Sequence, residues 1–136
     1  MRVLDSSVAF KTVVQENDSD KAIRLIEDFR KGIEELIAPD IFPVEIGHAL
    51  TKAERQGRIS TADGFKLWTQ VMNDSPQLFA SLPLMPRAYA ISSQNRIGIY
   101  DALLLSLAEQ EQCEVISADN RLVNLFPGQV TPLSSL

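Results

Sequence analysis

The feature that most restricts the fold of this chain is a rhythm of short apolar runs set between segments of helical periodicity. Runs of strand length occur at Arg2 to Asp5, Glu35 to Ala38, Leu78 to Leu82, Glu114 to Ser117 and Val130 to Leu133, the last weakened by Pro132. Strands alternating with helices at these spacings predict a three-layer α/β/α domain around a mostly parallel five-stranded sheet, with residues 1–136 as a single unit.

The helices can be placed by their patterns. An apolar stretch from Val8 to Val14 follows the polar turn Ser6-Ser7. From Asp20 to Lys31, Ala22, Leu25, Ile26 and Phe29 fall at i, i+3, i+4 and i+7, and Gly32 stops the helix. A segment from about Ile41 to Gln56 carries Phe42, Ile46, Ala49, Leu50 and Ala53 on one stripe. The next, capped by Ser60 or Thr61 in a loose capping box with Asp63, carries Phe65, Trp68, Val71 and Met72 as expected core. Pro86 is suited to open a short helix through Arg87, Tyr89 and Ile91. The run Ala102 to Leu105 leaves the helix from Tyr100 to Gln112 little room for a solvent face, and Asn120 to Leu125 reads as a last short helix.

Composition narrows the chemistry. No apolar run reaches the roughly eighteen residues of a membrane span, and no signal-peptide pattern opens the sequence, so a cytosolic protein is expected. One cysteine, Cys113, and one histidine, His48, supply no zinc set. Any bound metal must therefore sit on oxygen. The net charge of −5 argues against a protein that coats nucleic acid. It argues less against a metallonuclease, because setting aside four site carboxylates from the 18 acidic residues leaves 14 against 13 Lys and Arg.

Those four are Asp5, Glu45, Asp101 and Asp119. Asp5 ends the first strand and Asp119 follows the fourth, and ligands of open parallel sheets bind beyond the carboxyl ends of the strands. Asp101 opens the buried helix, and Glu45 flanks the stripe of Phe42 and Ala49. Gathering like charges away from water is costly unless a cation compensates them, and oxygen ligands favour Mg²⁺ or Mn²⁺. Phosphodiester hydrolysis is the chemistry such a site serves. Each residue also has a plainer reading: Asp101 and Asp119 as helix caps, Asp5 as a turn residue, Glu45 as a solvated helix position. Ser7 and Ser117 can orient the carboxylates or serve as caps. Arg58, Arg87, Arg96 and Arg121 are candidates for phosphate contacts, with surface ion pairs as the alternative. A serine nucleophile is unsupported, since His48 lies mid-helix with no sign of a triad.

Four segments carry a resemblance: Val3-Leu4-Asp5-Ser6-Ser7-Val8, Pro43-Val44-Glu45-Ile46 with Ala49-Leu50, Tyr100-Asp101-Ala102-Leu103, and Ser117-Ala118-Asp119-Asn120-Arg121-Leu122. In this order the chain resembles the PIN-domain nucleases and, by its size, the VapC-type toxins of bacterial toxin–antitoxin pairs. The resemblance covers nearly the whole sequence. It implies a five-stranded parallel sheet between helices, an endoribonuclease using Mg²⁺ or Mn²⁺, frequent homodimers and a small antitoxin partner. It also assigns Asp5, Glu45, Asp101 and Asp119 to the metal-site acids and Ser7 and Ser117 to the hydroxyl positions, Ser117 standing where threonine is commoner. The rival from another class is a PIN-like domain without catalysis, acting as an RNA- or protein-interaction module. A phosphoacceptor receiver domain fits poorly, because Asp5 has no adjacent acidic residue and no lysine follows Lys66.

Overall fold

The computed structural model describes all 136 residues. Its five strands are β1 (Arg2–Leu4), β2 (Leu36–Pro39), β3 (Gln77–Phe79), β4 (Glu114–Ser117) and β5 (Val130–Pro132). Every pairing is parallel, in the order β3-β2-β1-β4-β5. Strand order therefore runs outward in both directions from the β1–β4 seam, which makes the carboxyl end of that seam the switch-point crevice. The helices are α1 (Ser6–Phe10), α2 (Ser19–Arg30), α3 (Phe42–Arg55), α4 (Thr61–Asn73), α5 (Met85–Asn95), α6 (Ile99–Glu111) and α7 (Asn120–Leu125).

Alternation along each strand divides the core in two. Leu4, Leu36, Ala38 and Ile116 point to one face, where α1 to α4 cover them with Val8, Ile26, Phe42, Leu50 and Val71. Val3, Ile37 and Val115 point to the other, against Ala88 and Ile91 of α5, Leu104 and Leu107 of α6, and Leu122 of α7. All of α6 from Ala102 to Ala108 is buried, since it packs against α5 on one side and β1, β2 and β4 on the other. Only its two ends meet water. A functional group on this helix must lie in its first or last turn.

Three expectations from sequence need correction. The helix after β1 ends at Phe10 rather than Val14: Lys11 N–H bonds Val8 O, and Thr12 Oγ donates to Ala9 O at 2.6 Å, so tight turns replace helical bonding. The third strand spans Gln77–Phe79 rather than Leu78–Leu82, because its partner β2 ends at Pro39 and the chain enters α3 at Phe42; Leu82–Leu84 form a 3₁₀ turn. Phe65 was expected in the core and is 75% exposed. Its ring stacks on Trp68, centroids 5.5 Å apart, while Trp68 Nε1 donates to Pro43 O at 3.0 Å and ties α4 to α3.

Candidate active site

The β1–β4 seam ends in two aspartates that also start helices. Asp5 is the N-cap of α1 and Asp119 the N-cap of α7. Asp119 accepts the amides of Arg121 and Leu122 on Oδ1, at 3.0 and 3.4 Å. The capping role and the place at the rim are thus compatible, because a carboxylate has a second oxygen to offer. Asp101 is not a cap: Gly98 holds that position and Asp101 lies in the first turn of α6.

Two serines fasten the seam. Ser117 Oγ donates to Asp5 Oδ2 at 2.7 Å and accepts Asp119 N–H at 3.0 Å. Ser7 Oγ donates to the same Asp5 oxygen at 2.9 Å and accepts Ala118 N–H at 3.1 Å. Each hydroxyl joins the end of β1 to the end of β4 and fixes the Asp5 carboxylate. Oδ1 of Asp5 has only the Ser7 amide, at 3.5 Å. One oxygen of each capping aspartate is therefore secured by the protein while the other is left available.

Glu45, in the first turn of α3, and Asp101 complete a cluster of mutually repelling acids. Burial raises the Asp5 pKa, the two serine hydroxyls lower it, and the charge of Asp119 raises it again. Glu45 is pushed up to about 8, first by burial and then by the charges of Asp5 and Asp101. Asp101 is pushed up to about 6 by burial, Asp5 and Asp119, with Arg121 acting in the opposite sense. Four carboxyl groups from four separate segments thus lie within electrostatic reach of one another. Their one basic partner is Arg121, whose Nη2 is 3.4 Å from Asp101 Oδ2. No three of the acids stand in chelating geometry.

The other arginines are scattered. Arg58 is paired with Glu16 at 2.7 Å, Arg87 forks onto Glu109 at 2.8 and 3.0 Å, and exposed Arg96 ends α5 in the left-handed region at φ 53°. Glu109 lies near the far end of α6 from Asp101, about 12 Å along the axis, so Arg87 is held away from the acids. A groove of about 640 Å³ opens beside the cluster, lined by Ser7, Glu45 and Asp119 together with Lys11, His48 and Tyr100. Lys11 and His48 belong to none of the quoted motif segments, and Tyr100 enters only as the first residue of Tyr100-Asp101-Ala102-Leu103. The available signals were that Tyr100 adjoins Asp101 and that His48 follows Glu45 by one helical turn.

The sequence profile described as PIN domain matches residues 2–125. The chain belongs to the PIN-domain family. This PIN domain is 24% identical over 132 residues to Ribonuclease VapC3 of Pyrobaculum aerophilum, covering 96% of the chain and 98% of that protein. The crystal structure of PAE2754 from Pyrobaculum aerophilum has the same fold, with a TM-score of 0.75 at 20% identity, covering 98% of this chain and 91% of that one. The expected five-stranded α/β/α architecture is borne out, with the sheet wholly parallel.

A divalent cation suits the donors of this PIN domain. The acids offer oxygen alone, Asp5 Oδ1 accepts only a long bond from the Ser7 amide, Asp119 keeps Oδ2 unbonded, and the one arginine paired with the cluster reaches Asp101 alone. No helix is long and apolar enough to cross a membrane.

Proposed function

We propose that this PIN domain is a metal-dependent endoribonuclease that hydrolyses RNA phosphodiester bonds, and that it is the toxin of a type II toxin–antitoxin pair. The observation that carries the reading is the acidic cluster at the end of the β1–β4 seam. Four carboxyl groups are kept together although two of them are driven far from their ordinary pKa values by burial and mutual repulsion. A fold retains such a destabilising arrangement where it performs chemistry. The likeness to Ribonuclease VapC3 supports RNA as the substrate.

Asp5, Glu45, Asp101 and Asp119 would hold Mg²⁺ or Mn²⁺. Bound there, the ion would supply Lewis-acid activation of water and neutralise charge on the phosphodiester. Asp5 is the fixed point, because two serine hydroxyls occupy Oδ2 and leave Oδ1 to face a ligand role. Ser7 and Ser117 act through Asp5 as positioning residues. Glu45, raised to about 8, holds a proton near neutral pH that it must release before it can bind a cation. Arg121, mostly exposed and loosely paired with Asp101, can turn to a phosphate oxygen at little cost. Arg58, Arg87 and Arg96 stand as further candidates for phosphate contacts; Arg87 would first have to leave Glu109.

A small antitoxin, a second copy of the chain and a cytoplasmic setting complete the reading and rest on the resemblance to VapC-type proteins. The deciding assay incubates the purified chain with labelled single-stranded RNA and Mn²⁺. Internal cleavage that EDTA and Asp5→Ala both abolish is the expected result. RNA left intact over a range of sequences and metals would leave the non-catalytic interaction module standing instead.

A further inference from the structure

Cations beside the groove are few, and one carboxylate holds two of them. Lys11, just past the last turn of α1, lines the groove with Phe10 and Glu16. Its ammonium donates to Asn17 O at 2.9 Å and lies 3.4 Å from Glu16 Oε1. Arg58, between α3 and α4, donates from Nη2 to the other Glu16 oxygen at 2.7 Å. Its guanidinium sits 5.7 Å from the centroid of the buried Phe10 ring. Two cations against one anion leave this corner with one net positive charge, on a chain whose total is −5.

The position of the corner is set by α1. Ser7, which fixes Asp5, and Lys11 are four residues apart, about 6 Å along a helix axis. An RNA strand with one phosphate at the acidic cluster crosses that distance within a nucleotide or two. The acids repel the strand on one side, so an adjacent cationic contact is where backbone affinity can be recovered. A guanidinium packed on an aromatic ring keeps its N–H edge free for an anion, and Glu16 is the anion on that edge.

We propose that Lys11 and Arg58 form a phosphate-binding subsite for the RNA strand next to the cleavage position, and that Glu16 is its positioning residue. Glu16 keeps the two cations at the groove and gives them up when a phosphodiester oxygen takes its place as acceptor. This rests on the ribonuclease reading for its substrate class. Glu16 therefore acts as an internal competitor of RNA, and removing its charge strengthens binding.

The test is anisotropy of a labelled single-stranded RNA on the Asp5→Asn background in EDTA, over a series of salt concentrations. Single-stranded nucleic acid gives a slope of about −0.7 in log K against log salt for each phosphate neutralised. Lys11→Met with Arg58→Met, which keeps both apolar stems, is expected to weaken binding about tenfold or more and to flatten the slope by about 1.4. Arg58→Lys should leave the slope unchanged. Glu16→Gln should tighten binding about threefold or more relative to Glu35→Gln, a charge-matched change at the amino end of β2. Should the double variant fail to fold, as circular dichroism would show, Lys11→Gln alone decides, with an expected flattening of about 0.7. An unaltered slope, or equal effects of Glu16→Gln and Glu35→Gln, overturns the subsite. Absence of any RNA cleavage by the unmodified chain with Mn²⁺ would instead overturn the ribonuclease reading, and the binding measurement would still judge the subsite by itself.

Discussion

Replacing Glu45 with glutamine should make the metal-free protein more stable while removing its activity. In the folded chain the Glu45 carboxyl holds its proton up to about pH 8, against an ordinary value of 4.5. Folding consequently takes up a proton between those limits, and metal-free stability falls as pH rises through that window. Undiminished, the loss contributed by this one group reaches about 3 kcal/mol at pH 7. Part of the carboxyl remains open to water, and screening brings the figure to about 2 kcal/mol. For a domain of this size that corresponds to roughly 6 °C in melting temperature. Thermal melts of the parent and Glu45→Gln in EDTA, from pH 4.5 to 8, supply the measurement. The variant should melt several degrees higher at pH 7 and above, converge with the parent near pH 4.5, and lose its advantage once Mn²⁺ is added. A variant that melts at or below the parent throughout, or a difference independent of pH, would refute the account of a cluster strained by its own charges.

Asp5→Asn and Asp101→Asn should each lower RNA cleavage by orders of magnitude in a fluorescent-substrate assay, with circular dichroism unchanged. Ser117→Ala removes a fully buried hydroxyl that donates to Asp5 and accepts from the Asp119 amide; about 1 to 3 kcal/mol of stability should be lost in urea unfolding, together with much of the activity. Mn²⁺ at a hundred times its dissociation constant should stabilise the chain by about 2.7 kcal/mol. Its binding should release protons near neutral pH, read as heats that depend on buffer ionisation, and should weaken below about pH 6 as Asp101 becomes protonated. Leu104→Ala, in the centre of α6, should cost about 2 to 5 kcal/mol and leave metal affinity intact at temperatures where the fold persists.

The legible parts of the sequence were those written in local pattern. Asp5 and Asp119 announced themselves by ending apolar strand runs, and the unbroken apolar character of Ala102 to Leu105 exposed α6 as a helix covered on all sides, leaving its first turn as the place for Asp101. Glu45 was visible only as a charge at the edge of a stripe. What sequence could not give was tertiary. The extent of β3 depended on where β2 stops pairing, and Phe65 follows helical spacing yet stacks on Trp68 at the surface. The Lys11, Glu16 and Arg58 corner joins the α1–α2 connection to the α3–α4 connection, and no periodicity in either segment foretells the other.

The hydroxyl links of the β1–β4 seam span 112 and 111 residues, from Ser117 to Asp5 and from Ala118 to Ser7. The Asp5 carboxylate therefore gains its Ser117 partner only once β4 lies beside β1 in the sheet, so the order of this cluster depends on one of the longest-range pairings in the fold.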